Sequence, residues 1–267
     1  MERYLIVSDM DGSLAGEDHE VQEITKTVIR KLLDQGHLFY IATGRMKGLI
    51  ENIAKDIDER VGVIGSNGGI IELNNTFDIE EMDHDQRLKL YDFVQEKQIP
   101  TLFFSDKDIL YTEDVPDFFA HPNPFNTNKV IKRIDNPDLD LKSFQIINAL
   151  LMANDTPNPG EILMPARQEI LDNFNLTVTS SNINNLEVYA KTVSKGNAVR
   201  KVMHHHNIKP ENVITFGDGF NDVSMFKVAK TSVAMGNAPD EVKSYASHVT
   251  ETNIDHGVAQ FLMDYFK

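Results

Sequence analysis

Apolar residues recur along this chain with two alternating spacings. Residues 4–8 form a short continuous apolar run, the mark of a strand buried on both faces and hence of a parallel sheet. From 21 to 35 the apolar positions Val21, Ile24, Val28, Ile29, Leu32 and Leu33 return at helical spacing, and Gly36 supplies the stop. Residues 37–42 then read as a second buried strand. The handedness of β-α-β crossovers makes the two strands parallel in one sheet. A helix over 47–54, a strand over 61–65 and a hairpin strand over 70–73, turned at Gly68-Gly69, continue the series.

Between residues 82 and 187 the texture changes. Residues 115–141 carry several prolines and little periodicity, 145–152 and 186–189 read as strands of an antiparallel or mixed sheet, and 86–97 and 166–174 as helices. After Ser194 the alternation returns: a helix to about His206, a strand over 213–216, a helix over 222–229, a strand over 232–234, and helices near 240–246 and 255–266. The predicted fold class is α/β. Residues 1–81 and 188–267 build a doubly wound, Rossmann-like parallel sheet, and residues 82–187 form an α+β domain inserted into it.

Composition narrows the function classes. At 267 residues, 41% hydrophobic and 25% charged, the chain is an ordinary globular protein, neither disordered, collagenous nor coiled coil. Its 26 Lys+Arg against 41 Asp+Glu give a formal net charge of -15, which repels a phosphate backbone and argues against a nucleic-acid partner. The absence of cysteine removes disulfides, zinc-thiolate sites and thiol catalysis. The short N-terminal apolar run, followed at once by acids, fits neither a signal nor a transit peptide, and no stretch approaches the roughly 18 apolar residues of a membrane helix. A cytoplasmic protein with no membrane partner, monomeric or a small homo-oligomer, is the expectation.

Open α/β sheets carry their sites at the carboxyl ends of the strands. The residues that follow the predicted strands are Asp9-Met10-Asp11-Gly12-Ser13, Thr43-Gly44-Arg45, Ser66-Asn67-Gly68-Gly69 and Gly217-Asp218-Gly219-Phe220-Asn221-Asp222. Asp and Gly are common turn formers. Acids at two strand ends are a different matter, because several carboxylates this close stay ionised only beside a cation. Hard oxygen donors with no imidazole or thiol favour Mg²⁺. Thr43 and Ser13 offer hydroxyls, and helix N-termini offer backbone N–H groups, for an anionic oxygen. Lys195 stands at the start of a predicted helix, where a cation opposes the helix dipole. A lysine in that unfavourable position points to a ligand. His204-His205-His206 closes a helix, where histidine suits the dipole, and Phe103-Phe104 and Phe118-Phe119 read as core of the insert.

Taken together these segments resemble the four motifs of the haloacid dehalogenase superfamily, in its Cof-type sugar-phosphatase branch with a large α+β (C2B-type) cap. The resemblance continues through residues 232–238 and 252–258. It implies that Asp9 is the nucleophile and Asp11 the general acid/base, that Thr43, Gly44, Lys195 and Asn221 bind phosphate, and that Mg²⁺ is held by Asp9, the backbone carbonyl of Asp11, Asp218 and Asp222. Arg45 and Asn67 are expected near the substrate. Ser13 stands where the family usually has threonine, which keeps the hydroxyl. Ala190 and Thr192 replace a proline and a glycine before the lysine, and Phe220 replaces a glutamate or small residue, a change that bears on the floor of the site. The implied activity is Mg²⁺-dependent hydrolysis of a small phosphorylated metabolite, with the insert as a lid that selects the organic part. Transfer to a sugar hydroxyl, as in phosphomannomutase-like enzymes, is the alternative. A phospho-aspartate receiver module has no use for Asp11, for Asn221-Asp222 or for the insert.

Overall fold

The computed structural model describes residues 2–16, 20–74, 76–113, 131–154, 156–180 and 183–267. The Phe118-Phe119 pair and much of the proline-bearing stretch lie outside them. The chain divides into two compact units, Met1–Asp78 with Ser194–Lys267, and Ile79–Val193. The expected insert, 82–187, is shorter than the second unit. Its last strand runs over Asn185–Ala190 and pairs with strands of that unit at both edges, so the divide falls beyond it.

The first unit is built on β1 (Leu5–Asp9), α1 (Glu23–Asp34), β2 (Leu38–Ala42), α2 (Lys47–Ile57), β3 (Gly62–Gly65), β4 (Ile70–Leu73) and β5 (Thr76–Ile79). The second unit follows. The chain then returns with α6 (Lys195–His206), β12 (Val213–Gly217), α7 (Val223–Phe226), β13 (Thr231–Ala234), α8 (Asp240–Lys243), β14 (His248–Val249) and α9 (Gly257–Tyr265). The sheet order is β14-β13-β12-β1-β2-β3-β4-β5. Pairing is parallel from β14 to β3, and β3 and β4 are antiparallel.

Side chains alternate across this sheet with the period of two that a strand imposes. Ile6, Phe39, Ile41, Ile214 and Phe216 enter one core with Ile29 and Leu32 of α1 and Leu262 of α9. Leu5, Val7, Tyr40, Ala42 and Val213 enter another, with Ala198, Val199 and Val202 of α6. Helices cover both faces, which is the doubly wound architecture that the apolar runs predict. Truncating Phe39, fully buried between strand and helices, is expected to cost about 3–5 kcal/mol.

In the second unit the strands are β6 (Thr101–Phe104), β7 (Ile109–Tyr111), β8 (Ile131–Arg133), β9 (Asn148–Met152), β10 (Leu176–Thr179) and β11 (Asn185–Ala190), in the order β10-β11-β9-β6-β7-β8. Its helices are α3 (His84–Glu96), α4 (Pro137–Ser143) and α5 (Pro159–Asn173). Phe103, Leu110, Ala149, Leu151 and Val188 form a core with Leu90 and Val94 of α3 and Leu163 and Ile170 of α5. Phe103 is thus core, as expected. Helix α5 starts well before the predicted 166, because Pro159 occupies its first turn, where a missing N–H costs nothing, and Pro165 is carried inside it.

Candidate active site

Strand register brings the singled-out residues of the first unit together. Asp9 pairs with Ala42 at the ends of β1 and β2, and Ser8 pairs with Phe216, the residue before Gly217. Thr43 and Asp218 therefore leave the sheet on either side of Asp9.

Asp9, Asp218 and Asp222 bring carboxylate oxygens within 4.8 Å of one another. Lys195 lies among them, with Nζ 2.5 Å from Asp9 Oδ1 and 2.6 Å from Asp222 Oδ1, and its side chain has no exposed surface. Two local features bring it there. Ser194 caps α6, its hydroxyl accepting the Asn197 N–H at 3.1 Å. Gly196 lets the helix start close on α7, since a Cβ there would stand 2.2 Å from the Ser224 carbonyl oxygen.

Asp222 shapes the loop that carries it. Its Oδ2 accepts the backbone N–H groups of Asp218 at 3.0 Å and Gly219 at 2.9 Å, while Oδ1 accepts from Lys195. Asp218 accepts the Ser13 hydroxyl at 3.0 Å, so the serine in the first motif has a definite job. Gly12 is required between them. Its φ is +80°, and a Cβ would meet Asp218 Oδ2 at 2.4 Å.

This burial perturbs the acids and the lysine together. Desolvation raises the Asp9 carboxyl well above its ordinary value; Lys195 opposes the rise, and Asp222 and Asp218 add to it. Asp218 is raised by desolvation and by Asp222, against the Ser13 hydrogen bond and Lys195. Desolvation alone would lower the Lys195 ammonium, but Asp222 and Asp9 outweigh it, and its value lies above the ordinary one. When all three are ionised, the carboxylates facing one ammonium leave two negative charges. That donor set, all oxygen, fits a hard divalent cation such as Mg²⁺.

Beside the acids lies a patch of neutral donors. Thr43 is buried, and its hydroxyl oxygen accepts the Arg45 N–H at 3.1 Å. Its carbonyl accepts the Asn67 N–H at 2.9 Å. Asn67 lies in the turn between β3 and β4. It is buried at φ +52° beside Ser66 at φ +49°, a left-handed pair that costs about 1–3 kcal/mol per residue. Its Oδ1 accepts from Asn221 Nδ2 at 3.1 Å, and a Cβ on Gly44 would stand 3.3 Å from its Nδ2. Thr43, Gly44, Asn67 and Asn221 are thus one assembly.

Asp11 stands apart from the three clustered acids. It is exposed, and both its oxygens are engaged by Arg45, Nε reaching Oδ2 at 2.8 Å and Nη2 reaching Oδ1. Phe220, two residues beyond Asp218, is 59% exposed. Ala190 and Thr192 permit the turn into the lysine segment: the Val193 N–H donates to the Ala190 carbonyl, and the Thr192 hydroxyl donates to Glu80. His206 turns its Nε2 to the Tyr40 hydroxyl at 3.1 Å. Sequence reasoning assigned no role to Ser224, which accepts the Gly196 N–H, or to Asn237, whose amide donates to the Gly12 carbonyl at 2.8 Å. A short polar residue after Gly236 at a strand end is the signal that could have found Asn237; Ser224, inside α7, carries none.

A lysine-bridged cluster of acids at the carboxyl ends of a doubly wound sheet, with hydroxyl and amide donors beside it, defines an α/β enzyme of phosphoester chemistry. The chain belongs to the haloacid dehalogenase-like hydrolase family, whose model matches residues 6–262, and is a phosphoric monoester hydrolase. It is 28% identical over 262 residues to a 5-amino-6-(5-phospho-D-ribitylamino)uracil phosphatase of Bacillus subtilis, covering 96% of this chain and 93% of that one. Its fold resembles that of TM0651 from Thermotoga maritima, with a TM-score of 0.82 and 26% identity over 98% of this chain and 97% of that one. It also resembles the subclass IIB sugar phosphatase BT4131, with a TM-score of 0.81 and 22% identity over 98% of each chain. Among the described residues no helix is long and apolar enough to cross a membrane.

Proposed function

We propose that the protein is a Mg²⁺-dependent phosphatase that releases phosphate from small phosphorylated metabolites, sugar phosphates or phosphorylated cofactors, through an aspartyl-phosphate on Asp9. The observation that carries the reading is the ion pair between buried Asp9 and Lys195 inside the acid cluster. A carboxylate so held is oriented by the ammonium and shielded from bulk water, as a nucleophile must be. The Bacillus subtilis relative, named for a phosphorylated ribityl compound, supports an alkyl phosphate as substrate.

In the first half-reaction an Asp9 oxygen forms a bond to phosphorus as the ester P–O bond breaks. Asp11 gives its proton to the departing alkoxide, which leaves as the alcohol. Lys195, the Thr43 hydroxyl, the backbone at Gly44 and the Asn221 amide disperse charge on the phosphoryl oxygens. In the second, Asp11 takes a proton from water as its oxygen attacks phosphorus, and the bond to Asp9 breaks. Asp11 ends with the proton it began with. Asp9, Asp218, Asp222 and the Asp11 backbone carbonyl would hold Mg²⁺, which when bound supplies charge neutralisation and orients a phosphate oxygen. The insert, lying in sequence between the second and third motifs, would select the organic part.

The test is a screen of phosphorylated metabolites with Mg²⁺ or with excess EDTA, reading phosphate release and kcat/KM. Release that needs the ion and ranks the metabolites supports the reading. Full turnover in EDTA, or no release from any phosphomonoester, overturns it.

A further inference from the structure

We propose that Arg45 is the positioning residue of Asp11, holding that carboxylate in the orientation from which it takes a proton from water; this rests on the phosphatase reading above. The two side chains meet as a planar fork on a carboxylate, Nε on one oxygen and Nη2 on the other. Only arginine presents two parallel donors in this way, and a lysine offers a single point charge.

The fork stands on a backbone fixed at both ends. The Arg45 N–H donates to the Thr43 hydroxyl at 3.1 Å, and the Arg45 carbonyl accepts the Ser66 N–H at 2.9 Å. A Cβ on Gly65 would stand 3.3 Å from that carbonyl, so the neighbouring strand end closes on it. Asp9 and Ala42 are register partners, and the chain segments that continue from them carry Asp11 and Arg45 side by side. Arg45 is therefore tied to the phosphate-binding threonine by its backbone and to the acid/base residue by its side chain.

The pairing also answers a problem of charge. Lys195 is already shared by Asp9 and Asp222, and an uncompensated Asp11 would add a fourth carboxylate to the same strand ends. The guanidinium compensates it there. A carboxylate offers about four acceptor positions, and the fork takes one on each oxygen, which fixes the plane of the group. The alternative role for Arg45, a direct contact with substrate, predicts a different kinetic effect.

The experiment compares Arg45→Met, Arg45→Lys, Asp11→Asn and the Arg45→Met/Asp11→Asn double variant, with an aryl phosphate and saturating Mg²⁺. Arg45→Met is expected to lower kcat roughly 10- to 100-fold and to lower KM with it, since slowing the second step alone leaves kcat/KM nearly constant. Rapid-quench trapping should find more phospho-enzyme than in wild type, because the step that needs the base lags. Arg45→Lys should recover part of kcat. In the Asp11→Asn background Arg45→Met should add no further loss, since nothing remains to position. A raised KM at unchanged kcat, or losses that multiply in the double variant, overturns the proposal while leaving the phosphatase reading intact. An inactive wild type overturns both. If Arg45→Met fails to fold, Arg45→Lys separates the two roles in its place: a lowered kcat with KM not raised supports positioning, and a raised KM at unchanged kcat overturns it.

Discussion

Lys195→Met tests the electrostatic design of the site through stability alone. Methionine matches the length and apolar stem of lysine, so the change removes the ammonium and little else. In the wild type that ammonium lies 2.5 Å from Asp9 and 2.6 Å from Asp222, fully buried. Removing one partner of a buried ion pair costs about 3–5 kcal/mol, because the charges left behind are neither solvated nor compensated. For a cooperative unit of about 150 residues, each kcal/mol moves the melting temperature by about 2–4 °C, so the metal-free variant should melt roughly 6–20 °C below wild type. Added Mg²⁺ then takes over the compensation of the three acids. At 100 times its Kd it should return about 2.7 kcal/mol, and its effect on melting should exceed that on wild type. The assay is thermal unfolding followed by circular dichroism in EDTA and across a Mg²⁺ titration. A variant that melts with wild type in EDTA, or that gains no more from Mg²⁺ than wild type does, would refute the reasoning.

Asp9→Asn should form no aryl-phosphate-derived phospho-enzyme, whereas Asp11→Asn should be phosphorylated and then lag, slowed by roughly 10²- to 10⁴-fold; rapid-quench trapping distinguishes them, and label on the Asp9 variant would reverse the roles. Gly196→Ala sets a Cβ 2.2 Å from a carbonyl oxygen of the neighbouring helix, so about 1–3 kcal/mol of stability should be lost in denaturant titrations, and an unchanged midpoint would contradict the close approach. The raised carboxyls of Asp9 and Asp218 mean that the folded metal-free protein binds protons more readily than the unfolded chain, whose carboxyls titrate near the ordinary 3.8. Their stabilising contribution is therefore present at acid pH and lost as pH rises through the folded values. Melting in EDTA should fall along that rise, and Mg²⁺ should flatten the slope; equal slopes with and without the ion would count against the cluster as its source.

The doubly wound core was legible because its strands are continuous apolar runs and its helices keep one apolar stripe. β1 and β2 lie within a residue or so of the expected ranges. The insert was harder to read. β6 and β7 are short strands paired to distant β9 and to each other, and their identity comes from tertiary pairing, not from local pattern. Pro159, Gly160 and Pro165 hid the first half of α5, since proline and glycine usually interrupt a helix and here the packing of Leu163 and Ile170 prevails. β14, two exposed residues, has no pattern to detect. At the site, residue types announced the acids, the lysine and the threonine. The side-chain partnerships were not readable: Asn221 on Asn67, Ser13 on Asp218 and Arg45 on Asp11 depend on how loops from separate strands face one another.

The Lys195 to Asp9 bond joins residues 186 positions apart. For a flexible chain, closing a loop of that length carries an entropic cost of about 4–5 kcal/mol beyond a constant. Synthesis on the ribosome sharpens the point. β1 emerges first, yet its partner β12 ends at Gly217, so one side of the central strand stays unpaired until most of the chain exists. The second unit, with a core of its own, is made in the interval. If it folds as it emerges, it holds its two ends at fixed positions and shortens the loop that the last segment must close. The insert would then act as an assembly jig during biosynthesis, and the Lys195-bridged acid cluster would be among the last parts of the molecule to form.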